Sequence, residues 1–189
     1  MNHPRLVLAS ASPRRKELLS RMGLDFEIRV SDADENVDGI PRETVKILAV
    51  RKAEAVRKAE KNAWIIAADT LVSLDDKALG KPKDEEEIYT MLRALSGRTH
   101  QVYTGVCLMD ADTGEYITES VGSDVHFKDV TDEEIKDYIS TNEPHDKAGA
   151  YAIQGIGGKF VKGYCGSYDN IVGFPTEIFR DMLERFGKH

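Results

Sequence analysis

An α/β architecture with a mixed sheet is what this sequence predicts, on three observations. A short apolar run, Leu6-Val7-Leu8-Ala9, leads directly into a capped helical pattern. A second apolar run, Trp64-Ile65-Ile66-Ala67-Ala68, is too short for a helix and reads as a central strand. Between Gln101 and Phe127 the chain instead shows strand patterns around a turn cluster, as antiparallel strands do. The 189 residues are 41% hydrophobic and 31% charged, with no repeat, low-complexity tract or linker, and fit one domain over 1–189.

After the first strand, Ser12 suits an N-cap and Pro13 the first helical position, where its missing N–H costs nothing. Leu18, Leu19 and Met22 form the apolar stripe, and Gly23 is placed to end the helix in the left-handed conformation. Arg14, Arg15 and Lys16 fill the first turn, although the helix dipole prefers acids there and disfavours each exposed cation by up to about 1 kcal/mol. A rule broken three times in succession points to a compensating purpose. Free backbone N–H groups, the hydroxyls of Ser10 and Ser12 and these cations surround one point, which makes a site for a phosphate chain. The alternative is a basic surface turn lying against acidic residues elsewhere.

Phe26 to Val30 alternates apolar and polar and reads as a half-buried strand. The acidic stretch from Ser31 to Gly39 is either a solvated connector or a loop offering Glu35 to a hard divalent cation, which takes oxygen ligands. Pro41 opens a helix predicted to run to about Lys61, with Val45, Leu48, Ala49, Lys52, Ala55, Val56 and Ala59 on one face. Lys52, inside that apolar stripe, either snorkels outward or points into a cleft. Asp69-Thr70 follows the central strand. An acid at a buried strand end is expensive to desolvate without a cation or metal, and open α/β sheets bind ligands at such ends. Asp69 is therefore the leading candidate for a catalytic carboxylate, against a paired structural aspartate as the alternative.

Asp75-Asp76 makes a turn, and Leu79-Gly80-Lys81-Pro82 returns the chain with Lys81 held between a flexible and a stiff residue. The next helix, with Ile88, Met91, Leu92 and Leu95 on its apolar face, begins on Asp84-Glu85-Glu86-Glu87 and ends at Ser96-Gly97. It obeys the dipole rule that Arg14–Lys16 breaks. Strands are predicted over Gln101–Met109 and Glu115–Val121 around Ala111–Gly114, with Asp124–Phe127 continuing the sheet. Thr131-Asp132-Glu133-Glu134 is a capping box before Ile135, Tyr138 and Ile139. From Glu143 to Gly158 the chain crowds turn residues, Lys147, Gln154 and glycines. Gln154 has donor and acceptor capacity suited to the edge of a base. Gly155-x-Gly157 lacks the third glycine of a dinucleotide fingerprint and reads as a tight loop before a Gly-rich strand. Gly163–Asn170 is expected to be a polar loop, and Pro175 to open a last helix with Ile178, Phe179, Met182, Leu183 and Phe186 inward.

The formal net charge of −7 argues against broad nucleic-acid or anionic-membrane binding, so an anionic substrate has to be gripped by a local basic pocket. No apolar run approaches membrane-spanning length, and the N-terminal stretch reaches Arg14 too soon for a secretory signal. The 2 cysteines, Cys107 in an apolar run and Cys165 in a Gly-rich loop, form no CxxC and suggest a reducing, cytoplasmic setting. His100, His126 and His145 share no metal-ligand spacing. The cationic helix start, Lys52, Lys81, Lys147, Asp69 and Glu35 together fit metal-assisted attack of water on a phosphate.

These motifs resemble the Maf family of nucleoside triphosphate pyrophosphatases. The resemblance runs through Leu8-Ala9-Ser10-Ala11-Ser12-Pro13-Arg14-Arg15, Ala68-Asp69-Thr70, Leu79-Gly80-Lys81-Pro82 and Met91-Leu92-Arg93-Ala94-Leu95-Ser96-Gly97. It continues through Glu143-Pro144-His145-Asp146-Lys147-Ala148-Gly149-Ala150-Tyr151 and Ile153-Gln154-Gly155, so it spans nearly the whole chain. It implies a two-lobed α/β structure with a central cleft beside a twisted mixed sheet flanked by helices. It also implies cleavage between the α- and β-phosphates to a nucleoside monophosphate and pyrophosphate with Mg2+ or Mn2+. Asp69 matches the family's proton acceptor, Arg14, Thr70 and Gln154 match positions that govern substrate choice, and Lys52, Lys81 and Glu35 match cleft residues. Ser10, Ser12, Arg15 and Lys147 complete the expected substrate-binding set, and Glu35 with Asp69 the expected metal ligands. Thr70 after Asp69, with Ile153-Gln154-Gly155, looks like the branch acting on dTTP and UTP. The alternatives are the 7-methyl-GTP branch and a nucleotide-binding regulator of cell division. A homodimer is expected from the resemblance alone. Arg51 departs from the pattern, standing where an acid or amide is more usual, and is expected to face solvent with little effect.

Overall fold

The computed structural model describes residues 4–188. Its elements in chain order are β1 (Arg5–Leu8), α1 (Pro13–Arg21), β2 (Phe26–Ile28), α2 (Pro41–Arg57), β3 (Ala63–Leu74), β4 (Lys77–Leu79), α3 (Glu85–Leu95), β5 (Thr99–Asp110), β6 (Tyr116–Phe127), α4 (Asp132–Ile139), β7 (Val161–Cys165), α5 (Tyr168–Val172) and α6 (Thr176–Phe186). Tight 3-10 turns at Glu143–Asp146, Ala148–Ala150 and Ile156–Phe160 lie between α4 and β7.

Local chemistry sets the boundaries. Ser12 Oγ accepts the Arg15 backbone N–H, Pro13 opens α1, and Gly23 follows its end at φ 74°. α1 has no acid in its first turn, whereas α3 has Glu85, Glu86 and Glu87 there. Thr131 and Glu134 close the capping box of α4. Asp75 and Asp76, at φ 51° and 60°, form the left-handed two-residue turn from β3 to β4.

The strands join in one mixed sheet of order β2-β1-β3-β5-β6-β7, with β4 also on β3. β1 runs parallel to β2 and β3, and the pairings from β3 through β7 are antiparallel. β1 covers β3 only as far as Ile66, and β4 begins on it at Val72. Between those points β3 has a strand neighbour on one side only, among the described residues, and a cleft opens there. One sheet face packs α2 through Val7, Ala49, Ala53, Ile65, Ala67 and Cys107. The opposite face packs α1 and α6 through Leu6, Leu8, Leu18, Leu19, Ile66, Phe179 and Met182. Beyond the cleft, a third core gathers Val72, Leu92, Val125, Phe127, Tyr138 and Phe160 under α3 and α4. Gly105 lets α2 lie directly on β5, since a Cβ there would strike the Val45 carbonyl. Among the described residues, no helix is long and apolar enough to cross a membrane.

Several boundaries differ from the sequence reading. β3 does not stop before Asp69: β5 pairs with it from Trp64 to Ser73, so the neighbouring strand ends there rather than β3 itself. α2 ends at Arg57, short of Lys61, because the chain turns to bury Glu60 between Arg5 and Arg29. Ala53 is fully buried on its inner face beside Ala49, while Ala59 is exposed. β2 stops at Ile28, and Val30 is exposed beyond it. The segment after Gly155 is a 3-10 turn, and the expected loop from Gly163 holds the end of β7 and, capped by Ser167, the first three residues of α5. On α6, Phe179 and Met182 are buried but Ile178 is exposed.

A buried histidine packs against the third core. His100 is fully buried against Phe127 and Tyr151, with Nε2 2.7 Å from the Tyr151 hydroxyl and Nδ1 unpartnered. Burial lowers its pKa from 6.5 to about 4, with a smaller push from His126. Between those values the unfolded chain binds a proton that the folded chain refuses, so acidification through this window removes stability. The loss expected by its lower end is on the order of 3 kcal/mol. Urea midpoints measured across this range should fall steeply for the native chain and more shallowly for His100→Gln, which has no titrating ring.

Candidate active site

The cleft beside β3 encloses about 970 Å3, and Ser10, Ser12, Arg14, Arg15, Glu35, Lys52, Asp69, Thr70, Lys81, Lys147 and Gln154 all line it. The sequence positions of these residues are far apart, but the topology brings them together. β1 ends at the gap in β3, so the Ser10–Arg15 turn starts there. α2 crosses the face to which Asp69 projects, and the β4–α3 connection brings Lys81. The turns after α4 supply Lys147 and Gln154.

The centre is a buried charge pair. Lys52 Nζ lies 2.6 Å from Asp69 Oδ1 and 2.8 Å from Glu35 Oε1. The Lys52 and Asp69 side chains are 12% and 10% exposed, against 62% for Glu35. The lysine in the apolar stripe of α2 therefore points into the cleft, and one ammonium links two carboxylates. The bond from Lys52 holds the Glu35 carboxyl below its ordinary pKa despite partial burial, helped by the nearby charges of Lys81 and Arg15. Asp69 Oδ2 and Glu35 Oε2 have no protein partner among the described residues. No group of three or more His, Cys, Asp or Glu is arranged to hold a metal among those residues.

Arg15 builds the cleft floor. Its Nε donates to the Gly173 carbonyl at 3.0 Å, Nη1 to Ser10 Oγ at 3.3 Å and Nη2 to Thr70 Oγ1 at 3.2 Å. Desolvation lowers the guanidinium pKa, and the Asp69 charge opposes that; the group stays cationic at neutral pH. Thr70 Oγ1 also lies 2.9 Å from Thr104 Oγ1, and Thr104 donates to the Asn170 carbonyl at 3.0 Å. A threonine has one proton to give, so Thr70 is the donor in its pair with Thr104. The Thr70 hydroxyl is thus engaged on both sides, part of a relay from Arg15 into the α5 wall. Ser10 Oγ also accepts the Ser12 N–H, which leaves its own proton free to donate.

Around this floor stand groups with capacity to spare. Arg14 Nε is buried without a partner. Lys81 and Gln154 are exposed side chains on the lining with no hydrogen bond or ion pair among the described residues. Lys147 Nζ is held 2.6 Å from Asp146 Oδ1. Sequence reasoning missed Gly173, Thr104 and Asn170, which carry no motif of their own. It also underrated Arg51, whose Nη1 donates to the Asn36 carbonyl at 3.1 Å and the Asp34 carbonyl at 3.5 Å. Arg51 is exposed but pins the loop on either side of Glu35, and its place one residue before Lys52 was the available signal.

Relatives share this chain along nearly its full length. A protein of Desulforamulus reducens named dTTP/UTP pyrophosphatase is 45% identical over 184 residues, covering 96% of each chain. One of the same name from Clostridium novyi is 49% identical, covering 94% of this chain and 97% of its own. A third, from Caldicellulosiruptor bescii and also so named, is 47% identical over 97% of this chain and 95% of its own. The family model described as Maf-like protein matches residues 5–186, a span that holds both the cationic helix start and the sheet carboxylate, and the chain belongs to the Maf family.

Proposed function

We propose that this protein hydrolyses dTTP and UTP to the nucleoside monophosphate and pyrophosphate. The observation that carries the reading is the meeting, in one cleft, of a cationic helix start with a carboxylate buried beside a lysine in the middle of a sheet. The names of the full-length relatives support the same substrates.

In this reading the triphosphate lies along the start of α1. Arg14, Lys81 and Lys147 take its oxygens, and Ser10 and Ser12 donate their hydroxyl protons to it. Arg15 keeps the floor in shape. Asp69 accepts the proton of the water that attacks the α-phosphate, while the cations stabilise the departing pyrophosphate. Lys52 holds Asp69 in position and keeps positive charge next to it. Gln154 faces the base, where an amide matches the O4 and N3–H edge of uracil or thymine. Thr70 influences substrate choice through Arg15, because its hydroxyl is already engaged.

The donor set suits a divalent cation. Two carboxylates meet at the Lys52 ammonium, each with an oxygen left over, and magnesium in phosphate sites typically uses one or two carboxylates plus the substrate. Mg2+ or Mn2+ held by Asp69 and Glu35 would neutralise phosphoryl charge and lower the pKa of bound water. With two protein carboxylates to hold it, the ion would depend on the substrate's phosphate oxygens as well. Two free cysteines and a substrate drawn from the nucleotide pool fit the cytoplasm, and the family resemblance supports a homodimer.

The test is a side-by-side assay of dTTP, UTP and 7-methyl-GTP with Mg2+, with the products identified. The pyrimidine nucleotides should give monophosphate and pyrophosphate at the higher rate; release of orthophosphate and a diphosphate refutes the cleavage position. Asp69→Asn should lower turnover by about a hundred- to ten-thousand-fold with nucleotide binding retained by calorimetry, and unchanged turnover removes Asp69 from its role. Glu35→Gln should raise the Mg2+ concentration for half-maximal turnover by about tenfold, read from a metal titration at saturating dTTP.

A further inference from the structure

The glycines that follow Gln154 do not form a dinucleotide fingerprint, yet their geometry receives an anion. Glu143 Oε1 accepts the Ile156 N–H at 2.8 Å, and Oε2 accepts the Gly157 N–H at 2.8 Å and the Tyr138 hydroxyl at 2.7 Å. A Cβ at Gly155 would strike the Glu143 carboxylate, and one at Gly157 would lie 2.6 Å from the Tyr138 hydroxyl oxygen. The turn thus closes around a carboxylate of the chain itself. Partial burial pushes the Glu143 carboxyl up, but Tyr138, the two N–H groups and Lys147 outweigh it and leave its pKa below the ordinary value. Burial, and then the bond to Glu143, raise the Tyr138 phenol, so it stays a donor.

Two segments that reach the cleft meet at this carboxylate. Glu143 begins the 3-10 turn that leads to Lys147, and the N–H groups it binds lie two and three residues after Gln154. We propose that Glu143 is a positioning residue for nucleotide selection: seated in the glycine turn as an internal anion, it fixes Gln154 relative to Lys147, so that base and triphosphate are read at a set separation. This rests on the reading of the cleft as a pyrimidine nucleotide site. Glu143 touches no substrate and acts through the two cleft residues. Glu143→Gln keeps the volume but sets an amide NH2 against N–H and O–H donors, which loosens the turn without emptying it.

The experiment compares wild type, Glu143→Gln and Tyr138→Phe on dTTP and dCTP, with amide hydrogen exchange read at Ile156 and Gly157. Glu143→Gln should raise KM for dTTP about tenfold, lower kcat much less, and shrink the dTTP-over-dCTP ratio of kcat/KM about tenfold. Exchange at both amides should quicken by a similar factor, and Tyr138→Phe, which removes one of three donors, should move each quantity the same way by about threefold. A uniform loss on both nucleotides with the ratio intact overturns the proposal, because a purely structural role predicts that result. Unchanged exchange in Glu143→Gln overturns the clamp whether or not the wild type turns over. A wild type inactive on every nucleoside triphosphate overturns the substrate reading, and with it the selectivity half of this inference.

Discussion

The Lys52–Asp69 pair is the constraint on which the cleft depends. A carboxylate in the middle of a sheet, with apolar residues on either side, is strongly disfavoured unless a cation is brought to it. Lys52 does this from α2, and α2 lies close enough only because Gly105 leaves room for its backbone. The pair is in turn accessible because β1 pairs with β3 only as far as Ile66 and β4 joins it from Val72, which leaves Asp69 uncovered on one side. Charge placement, helix packing and strand length therefore meet at a single residue pair. Removing Lys52 leaves Asp69 buried without its ion-pair partner, whereas removing Asp69 leaves Lys52 with Glu35 alone.

What the sequence revealed of the site came from broken local rules. Three cations at the start of α1 contradict the dipole preference that α3 follows, and a lysine in the stripe of α2 contradicts its amphipathic pattern. Arg14, Arg15 and Lys52 line the cleft, while Lys16 lies exposed outside its lining. Features that obey local rules stayed silent: Thr104 and Asn170 look like ordinary polar residues of a strand and a short helix, and only the tertiary pairing reveals their link to Thr70 and Arg15. The continuity of β3 past Asp69 was hidden for a related reason. An acid inside a strand reads as an ending, and the sequence does not display the β5 ladder that carries it through. β7 and α5 were too short, and too rich in glycine and polar residues, to stand out from a loop.

The two anion-receiving turns of the molecule differ in their occupant. The start of α1 presents cations to the open cleft, with Arg14 Nε unpartnered. The glycine turn after Gln154 offers N–H groups, but Glu143 already fills it. The surrounding side chains, an arginine with a free donor in one case and an internal glutamate in the other, decide which is left open.

The bond from Arg15 to the Gly173 carbonyl joins residues 158 positions apart. Chains are synthesised from the N-terminus and begin to fold as they emerge. The cationic turn, the sheet carboxylate and its lysine are therefore all made well before the backbone that closes the floor beneath them. A growing polypeptide carries an incomplete pocket until Gly173 has been made, and only then does the guanidinium find its last acceptor.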